Sequence, residues 1–176
     1  MITQVLIRQE NKKDYDQIFE IVAAAFGQEN EAKLVNALRN NAEDFVPQLS
    51  LVATLDEKIV GHILFTRIKI IEENETETES LALAPLAVIP AHQRKGIGKL
   101  LINHGIDKAR ELQFKSVIVL GHAKYYPKFG FEAAEKWNII SPYNVPSNVF
   151  MAFELVNDGL KNVSGLVRYP KEFESL

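Results

Sequence analysis

The sequence predicts an α/β domain with a mixed sheet, and three observations carry that expectation. Leu49 to Leu55 and Ile59 to Ile70 are strand-like runs separated only by a short turn at Asp56-Glu57, the pattern of an antiparallel hairpin. Between about Leu81 and Leu120 an apolar run, an amphipathic helix and a second apolar run follow one another, the pattern of a right-handed parallel crossover. Two stretches with one-sided apolar spacing precede both units and read as helices. With 176 residues, 47% of them hydrophobic, residues 1–176 suit one domain with a sizeable core.

Taken in order, Thr3 to Arg8 forms a first strand. Asn11 then caps a helix that has Asp14 in its first turn and Ile18, Ile21, Val22, Ala25 and Phe26 on one face. A second helix follows Gly27, turns Leu34, Val35 and Leu38 inward and frays near Asn40-Asn41, before Pro47 redirects the chain. These helices are expected to form one wall of a cleft. After the hairpin, the acidic run Glu72 to Glu79 marks an exposed connection. A fourth strand runs from about Leu81 to Ile89 and contains Pro85, which lacks a ladder donor and so favours an edge or a bulge. A helix from about Gly96 to Leu112 leads to Ser116–Leu120, a short apolar strand covered on both faces. Strands near Ile139-Ile140 and Val149 to Leu155 complete the sheet and leave a tail with Tyr169-Pro170. No repeat or linker interrupts the chain.

Composition narrows the function. A net charge of −3 argues against a protein built to neutralise nucleic-acid phosphates, although Arg94, Lys95 and Lys99 form a local basic patch. Without cysteine there is no disulfide and no thiol nucleophile, and four scattered histidines do not suggest a metal site. No signal peptide is visible, and no apolar run approaches the roughly 20 residues that span a membrane. The expectation is a cytoplasmic protein with no nucleic-acid, membrane or metal partner.

The most informative stretch is Gln93-Arg94-Lys95-Gly96-Ile97-Gly98, placed between the strand end Val88-Ile89-Pro90 and a helix start. Two glycines let the main chain approach a ligand, the first-turn N–H groups lack intrahelical partners, and the positive helix end adds to Arg94 and Lys95. This is a pyrophosphate grip. A dinucleotide fingerprint would need glycine where Leu101 stands, and a P-loop would need Ser or Thr where Leu100 stands.

The order strand, Gln93-x-x-Gly96-x-Gly98, helix resembles the diagnostic segment of the GNAT N-acetyltransferases. So does Tyr125-Tyr126-Pro127-Lys128-Phe129-Gly130-Phe131, an aromatic pair ahead of Gly-Phe. The resemblance implies a GNAT-like acyl-CoA transferase fold: a central mixed, mostly antiparallel sheet flanked by helices and splayed at its fourth and fifth strands, where the pantetheine arm lies. It implies acetyl-CoA as cosubstrate. Main-chain groups of Leu86, Ala87 and Val88 would hold its amide arm, while Leu86 and Val88 pack their side chains inward. Gln93, Arg94, Lys95, Gly96, Ile97, Gly98 and Lys99 would hold its pyrophosphate. One departure stands out: many members carry asparagine seven residues before the tyrosine, whereas this chain has Val119.

Acyl transfer to an amine needs a bound donor, a deprotonated nucleophile, oxyanion stabilisation and help for the departing thiolate. A backbone N–H of the fourth strand suits the oxyanion, worth roughly 3 kcal/mol by analogy with other such donors. The amine then attacks directly. Tyr126 matches the family's tyrosine that donates to the leaving sulfur; its spacing to Gly130-Phe131 selects it over Tyr125, and aromatic packing is the plainer alternative. A phenol near pKa 10 protonating a thiolate near 8.5 is uphill by about 2 kcal/mol, so a strong hydrogen bond describes its role better than proton transfer. His62, His122, Glu29 and Glu31 are candidate general bases without an assignment, and His92 and His104 read as exposed positions. The acceptor amine, on a small molecule or a protein, would meet the first two helices, their loop and Tyr143 to Asn148. The competing reading is a non-catalytic acyl-CoA-binding sensor or regulatory module, and homodimerisation stays open.

Overall fold

The computed structural model describes residues 4–176. β1 (Leu6–Gln9) lies within the first predicted strand, whose expected start at Thr3 falls outside the described residues. A single 3-10 turn then leads into α1 (Tyr15–Phe26). Asp14 locks this entry by accepting the Asn11 N–H at 2.8 Å and the Arg8 guanidinium at 2.7 and 3.0 Å. Ile18, Ile21 and Val22 are buried as the spacing requires, but Phe26 is 41% exposed. The helix stops there because Gly27 takes the left-handed conformation and returns its N–H to the Ala23 carbonyl. α2 (Asn30–Arg39) buries Ala32, Leu34, Val35 and Leu38.

β2 (Phe45–Leu55) and β3 (Lys58–Ile71) form the expected hairpin. Asp56 and Glu57 both have positive φ, as a two-residue type I′ loop requires. Pro47 does not precede the strand; it lies inside β2, where a register shift between Phe45 and Ser50 tolerates a missing donor. β4 (Glu77–Val88) begins before the predicted Leu81, because Glu77 and Glu79 extend the strand while their carboxylates pair with Lys69 and Arg67. α3 (Ile97–Glu111) and β5 (Ser116–Leu120) stand where the spacing put them.

The chain's last third departs from expectation. β6 (Glu132–Ala133), β7 (Ile139–Ile140), β8 (Phe150–Glu154) and β9 (Gly165–Arg168) include two strands that were not predicted, β6 and β9. β8 pairs antiparallel with all five residues of β5, as a closing strand should. β7 instead pairs in parallel with β9, in the stretch expected to be tail. Strands this short carry no readable periodicity. The close approach of β9 to β3 depends on Gly165, where a Cβ would collide with the main chain of Ile71. The hydrogen-bonded order is β1-β2-β3-β4-β5-β8-β6, with β9 pairing β3 and β7 pairing β9. β4–β5 and β7–β9 are parallel, whereas β1–β2, β2–β3, β3–β9, β5–β8 and β6–β8 are antiparallel.

Packing divides the chain into two units. The first holds described residues 4–66, 84–108 and 171–176, and the second holds residues 67–83 and 109–170, so β3 and β4 each contribute to both. In the first, α3 packs on β3 through Leu101 and Gly105. In the second, Ile68, Ile70, Ala82, Ile118, Ile139 and Phe150 belong to one apolar core.

Gly105 gives this packing a sharp test. A Cβ at this position would lie 2.6 Å from Cζ of Phe65, a ring with no exposed surface and nowhere to turn. Replacing helical Gly by Ala ordinarily gains about 1 kcal/mol, but overpacking a rigid core costs about 1–3 kcal/mol. Gly105→Ala should therefore lower the thermal midpoint, measured by calorimetry. A raised midpoint would show that Phe65 yields.

Candidate functional site

The loop between β4 and α3 is shaped for an anion by its main chain. Arg94 and Gly96 both have positive φ, 63° and 85°, and this curls the segment just before the helix begins. The helical ladder opens with the Leu100 N–H on the Gly96 carbonyl at 3.1 Å, which leaves the N–H groups of residues 96–99 without intrahelical acceptors. Arg94, Lys95, Gly96 and Lys99 are exposed, Gly98 is half-buried, and Ile97 anchors the turn at 4% exposure. Gly96 owes its place to the positive φ, since a Cβ there would meet nothing within 4 Å. The left-handed Arg94 had no signal in the sequence. The Gln93 side-chain amide donates to the Val88 carbonyl at 3.0 Å and ties the loop to the strand end.

β4 supplies a second set of polar groups. Its parallel ladder to β5 covers only Leu81–Val117 and Ala82–Ile118, ending before Pro85 is reached. Beyond that point Ile89 gives its N–H to Val60 on β3 at 2.9 Å. Strand alternation then turns the main-chain groups of Val88 and Leu86 to the opposite edge. The side chains sort differently from the prediction. Ala87 is 2% exposed and packs inward, whereas Leu86 and Val88 are only half-buried. Residues 86–88 and 93–99 thus come together in the first unit.

Tyr126 belongs to the second unit. It opens a 3-10 turn, Tyr126–Phe129, that has Pro127 in its first turn and is ended by Gly130 with a φ of 102°. Successive side chains therefore diverge by about 120°, and the rings of Tyr125 and Tyr126 meet edge-on at 5.2 Å. Tyr126 is 8% exposed, packed edge-on to Phe131 at 5.6 Å and against Gly121, where any Cβ would strike its ring. Burial, with a smaller contribution from Tyr125, pushes its phenol well above the usual 10. The group therefore keeps its proton and has one O–H to donate. Val119, at the position of the family's asparagine, is 2% exposed and pairs with Met151.

The base candidates separate clearly. His122 is exposed, and its carbonyl accepts the Tyr125 N–H at 3.0 Å. Glu29 pairs with Lys33 at 3.1 Å, and Glu31 accepts from Gln28 at 2.8 Å. His104 is exposed on α3, but His92 is half-buried in the turn after β4. His62 is fully buried and lies in a polar chain that the sequence did not announce. Its Nε2 stands 2.9 Å from Ser50 Oγ and 3.5 Å from Glu10, and Glu10 in turn accepts from Arg39 at 2.9 and 2.8 Å. Burial pushes the His62 imidazole below its usual range despite Glu10, so it is neutral at pH 7. For Glu10, burial opposes ionisation, but hydrogen bonds with His62 and Arg39 prevail and hold it at about 2. The positive charge in this set is Arg39. Such a chain joins β1, α2, β2 and β3 and is structural. Among the described residues, no group of three or more His, Cys, Asp or Glu side chains is placed to hold a metal, and no helix is long and apolar enough to cross a membrane.

Residues 15–131 match the model of the acetyltransferase (GNAT) family. The uncharacterized N-acetyltransferase YjhQ of Escherichia coli K12 is 44% identical over 138 residues, covering 77% of this chain and 75% of the relative. The crystal structure of the GNAT family N-acetyltransferase YhbS from Escherichia coli in complex with CoA superposes with a TM-score of 0.90 at 29% identity, over 99% of this chain and 94% of the other. A GNAT family acetyltransferase from Brucella melitensis in complex with acetyl-CoA gives a TM-score of 0.78 at 30% identity, over 97% and 98%.

The buried chain makes stability fall in acid in two stages. The folded state holds His62 neutral, so below about pH 6.5 the unfolded chain binds the extra proton and folding weakens. Glu10, ionised down to about 2 when folded against 4.5 ordinarily, adds stability that is complete above 4.5 and lost as pH falls towards 2. The thermal midpoint measured from pH 8 to 2.5 should show both declines. Glu10→Gln should remove the lower one and, by orphaning Arg39, cost about 3–5 kcal/mol at pH 7. An unchanged acid limb in that variant would refute the assignment.

Proposed function

The chain belongs to the GNAT acetyltransferase family, and from that premise we propose that it transfers an acetyl group from acetyl-CoA to a primary amine by direct attack. The observation that carries this reading is a run of polar groups along one stretch: the open edge of β4 at the Leu86 main chain and the Val88 N–H, then the N–H groups at the start of α3 that lack intrahelical acceptors, with Arg94, Lys95 and Lys99 beside them. Amides arranged along an extended arm match a strand edge, and a diphosphate matches a helix start. In this reading Leu86, Ala87 and Val88 hold the pantetheine arm, and residues 94–99 hold the pyrophosphate. Gln93 serves by fixing the loop to Val88.

The chemistry follows from fixed dipoles. An N–H on the open edge of β4 stabilises the negative charge that develops on the thioester oxygen, and it does so without reorganising. Tyr126 donates a hydrogen bond to the sulfur as the carbon–sulfur bond breaks. Its raised pKa makes complete proton transfer more unfavourable than for an ordinary phenol, so the thiolate leaves stabilised by that bond, and the proton shed by the newly acylated nitrogen passes through solvent to the sulfur. The amine reaches its neutral form through solvent or a water-linked carboxylate, because buried His62 has no access to it.

Acetyl-CoA or CoA should raise the thermal midpoint by mass action. Gly98→Val should abolish that shift in a protein that still folds, because a branched side chain would crowd the helix start. CoA affinity equal to wild type in this variant would overturn the assigned grip. Transfer is tested by thiol release from acetyl-CoA with a panel of primary amines. A CoA-dependent shift without transfer to any amine would leave a binding module in place of an enzyme.

Tyr126→Phe removes only the hydroxyl. Turnover should fall by roughly 10² to 10³ while acetyl-CoA affinity stays nearly constant, and Tyr125→Phe should be much milder. Because burial holds the Tyr126 proton, ionisation of this group should cause no loss of rate below about pH 10. Wild-type turnover in Tyr126→Phe would eliminate the role.

A further inference from the structure

In the second unit, three strands carry an apolar row on the wrong side of a small sheet. Ile70, Val167 and Ile139 point into the core and are 0%, 1% and 2% exposed. Alternation turns their neighbours Ile71, Leu166 and Ile140 to the other face. Register makes these three adjacent, since Ile71 pairs with Leu166 and Leu166 with Ile140. Leu166 is 47% exposed and Ile140 59%, on a face that is ordinarily polar when it meets water.

Opposite charges flank this row along the strands. On one side lie Lys69 and Arg168, register partners that share the single carboxylate of Glu77 at 3.0 and 2.7 Å and so leave a net positive charge. On the other side β3 ends at the turn into β4, where Glu72 and Glu73 have no ion pair among the described residues. A face reading cation, apolar row, anion along the strands is complementary to itself. A half-turn about an axis lying in the face and across the strands lays apolar row on apolar row and each anion on a cation.

We propose that this face binds a second copy of the chain, as a two-fold dimer in which the Ile71–Leu166–Ile140 rows stack and each Glu72-Glu73 tip meets the Lys69–Arg168 pair of the other copy. The proposal is independent of the acyl-transfer reading. Three apolar side chains per copy are fewer than fill a standard interface of about 800 Å² per partner, so the dimer is weak and concentration-dependent.

Sedimentation equilibrium of the full chain from about 5 to about 500 µM should show the average mass rising from one chain towards two. Ile140→Asp should stay monomeric across that range with unchanged circular dichroism, because its side chain is exposed. The double variant Glu72→Lys/Glu73→Lys and the variant Arg168→Glu should each weaken association at least tenfold. Their equimolar mixture should recover it, since both ends then regain opposite signs. A wild type that is monomeric throughout, an Ile140→Asp variant that associates like wild type, or a mixture no tighter than its components would each overturn the proposal. If the Arg168 variant does not fold, Ile140→Asp decides alone.

Discussion

β4 loses β5 as a partner after Ala82, and the rest of the candidate site depends on that loss. A strand flanked on both sides has no main-chain groups to offer, because each N–H and carbonyl is committed to a ladder. Here β3 continues to hold β4 as far as the Ile89–Val60 bond while the other edge stays open. The strand is therefore rigid and unsatisfied at once, a combination that suits it to bind an extended amide-bearing molecule. The Gln93 amide on Val88 then fixes how the following loop leaves the strand, so the free N–H groups of α3 begin at a set distance from the open edge.

Rigidity on the β1 to β3 side comes from the Arg39–Glu10–His62–Ser50 chain. Arg39 and Glu10 are 6% and 5% exposed at their side chains, so their mutual attraction is little screened, and removing either leaves a buried charge. Arg39 also lies 3.8 Å from the centroid of the Tyr15 ring, which brings α1 into the same set. One guanidinium at the end of α2 thus touches the start of α1 and the end of β1. His62 Nδ1 and Thr66 Oγ1 are buried without a hydrogen-bond partner among the described residues. This commitment explains why a histidine that looked like a base in the sequence serves the fold.

Tyr126 shows how burial sets a chemical role. Desolvation disfavours the phenolate, so the same packing that orients the ring also makes it a poorer acid and a more reliable donor. Gly121 makes room for the ring, and left-handed Gly130 ends the turn that carries it.

Local patterns carried much of this structure. The α1 and α2 spacing, the Asp56-Glu57 turn, the α3–β5 segment and the Gln93–Gly98 loop depend on interactions within a few residues, and a linear reading reaches them. Family resemblance supplied the splay, and the two-position β4–β5 ladder is its structural form. Beyond reach were β6 and β9, two and four residues long, because a strand that short is defined by its partner rather than by its own spacing. The same holds for the left-handed Arg94, the inward turn of Ala87 and the apolar row across β3, β9 and β7. The buried chain joins residues 10, 39, 50 and 62, which no motif connects. The positions of the helices, the hairpin and the Gln93–Gly98 loop could be read along the chain, since short-range sterics and hydrogen bonding decide those. Which polar groups are buried, paired or left free was settled by folding, because that depends on neighbours brought together from distant parts of the chain.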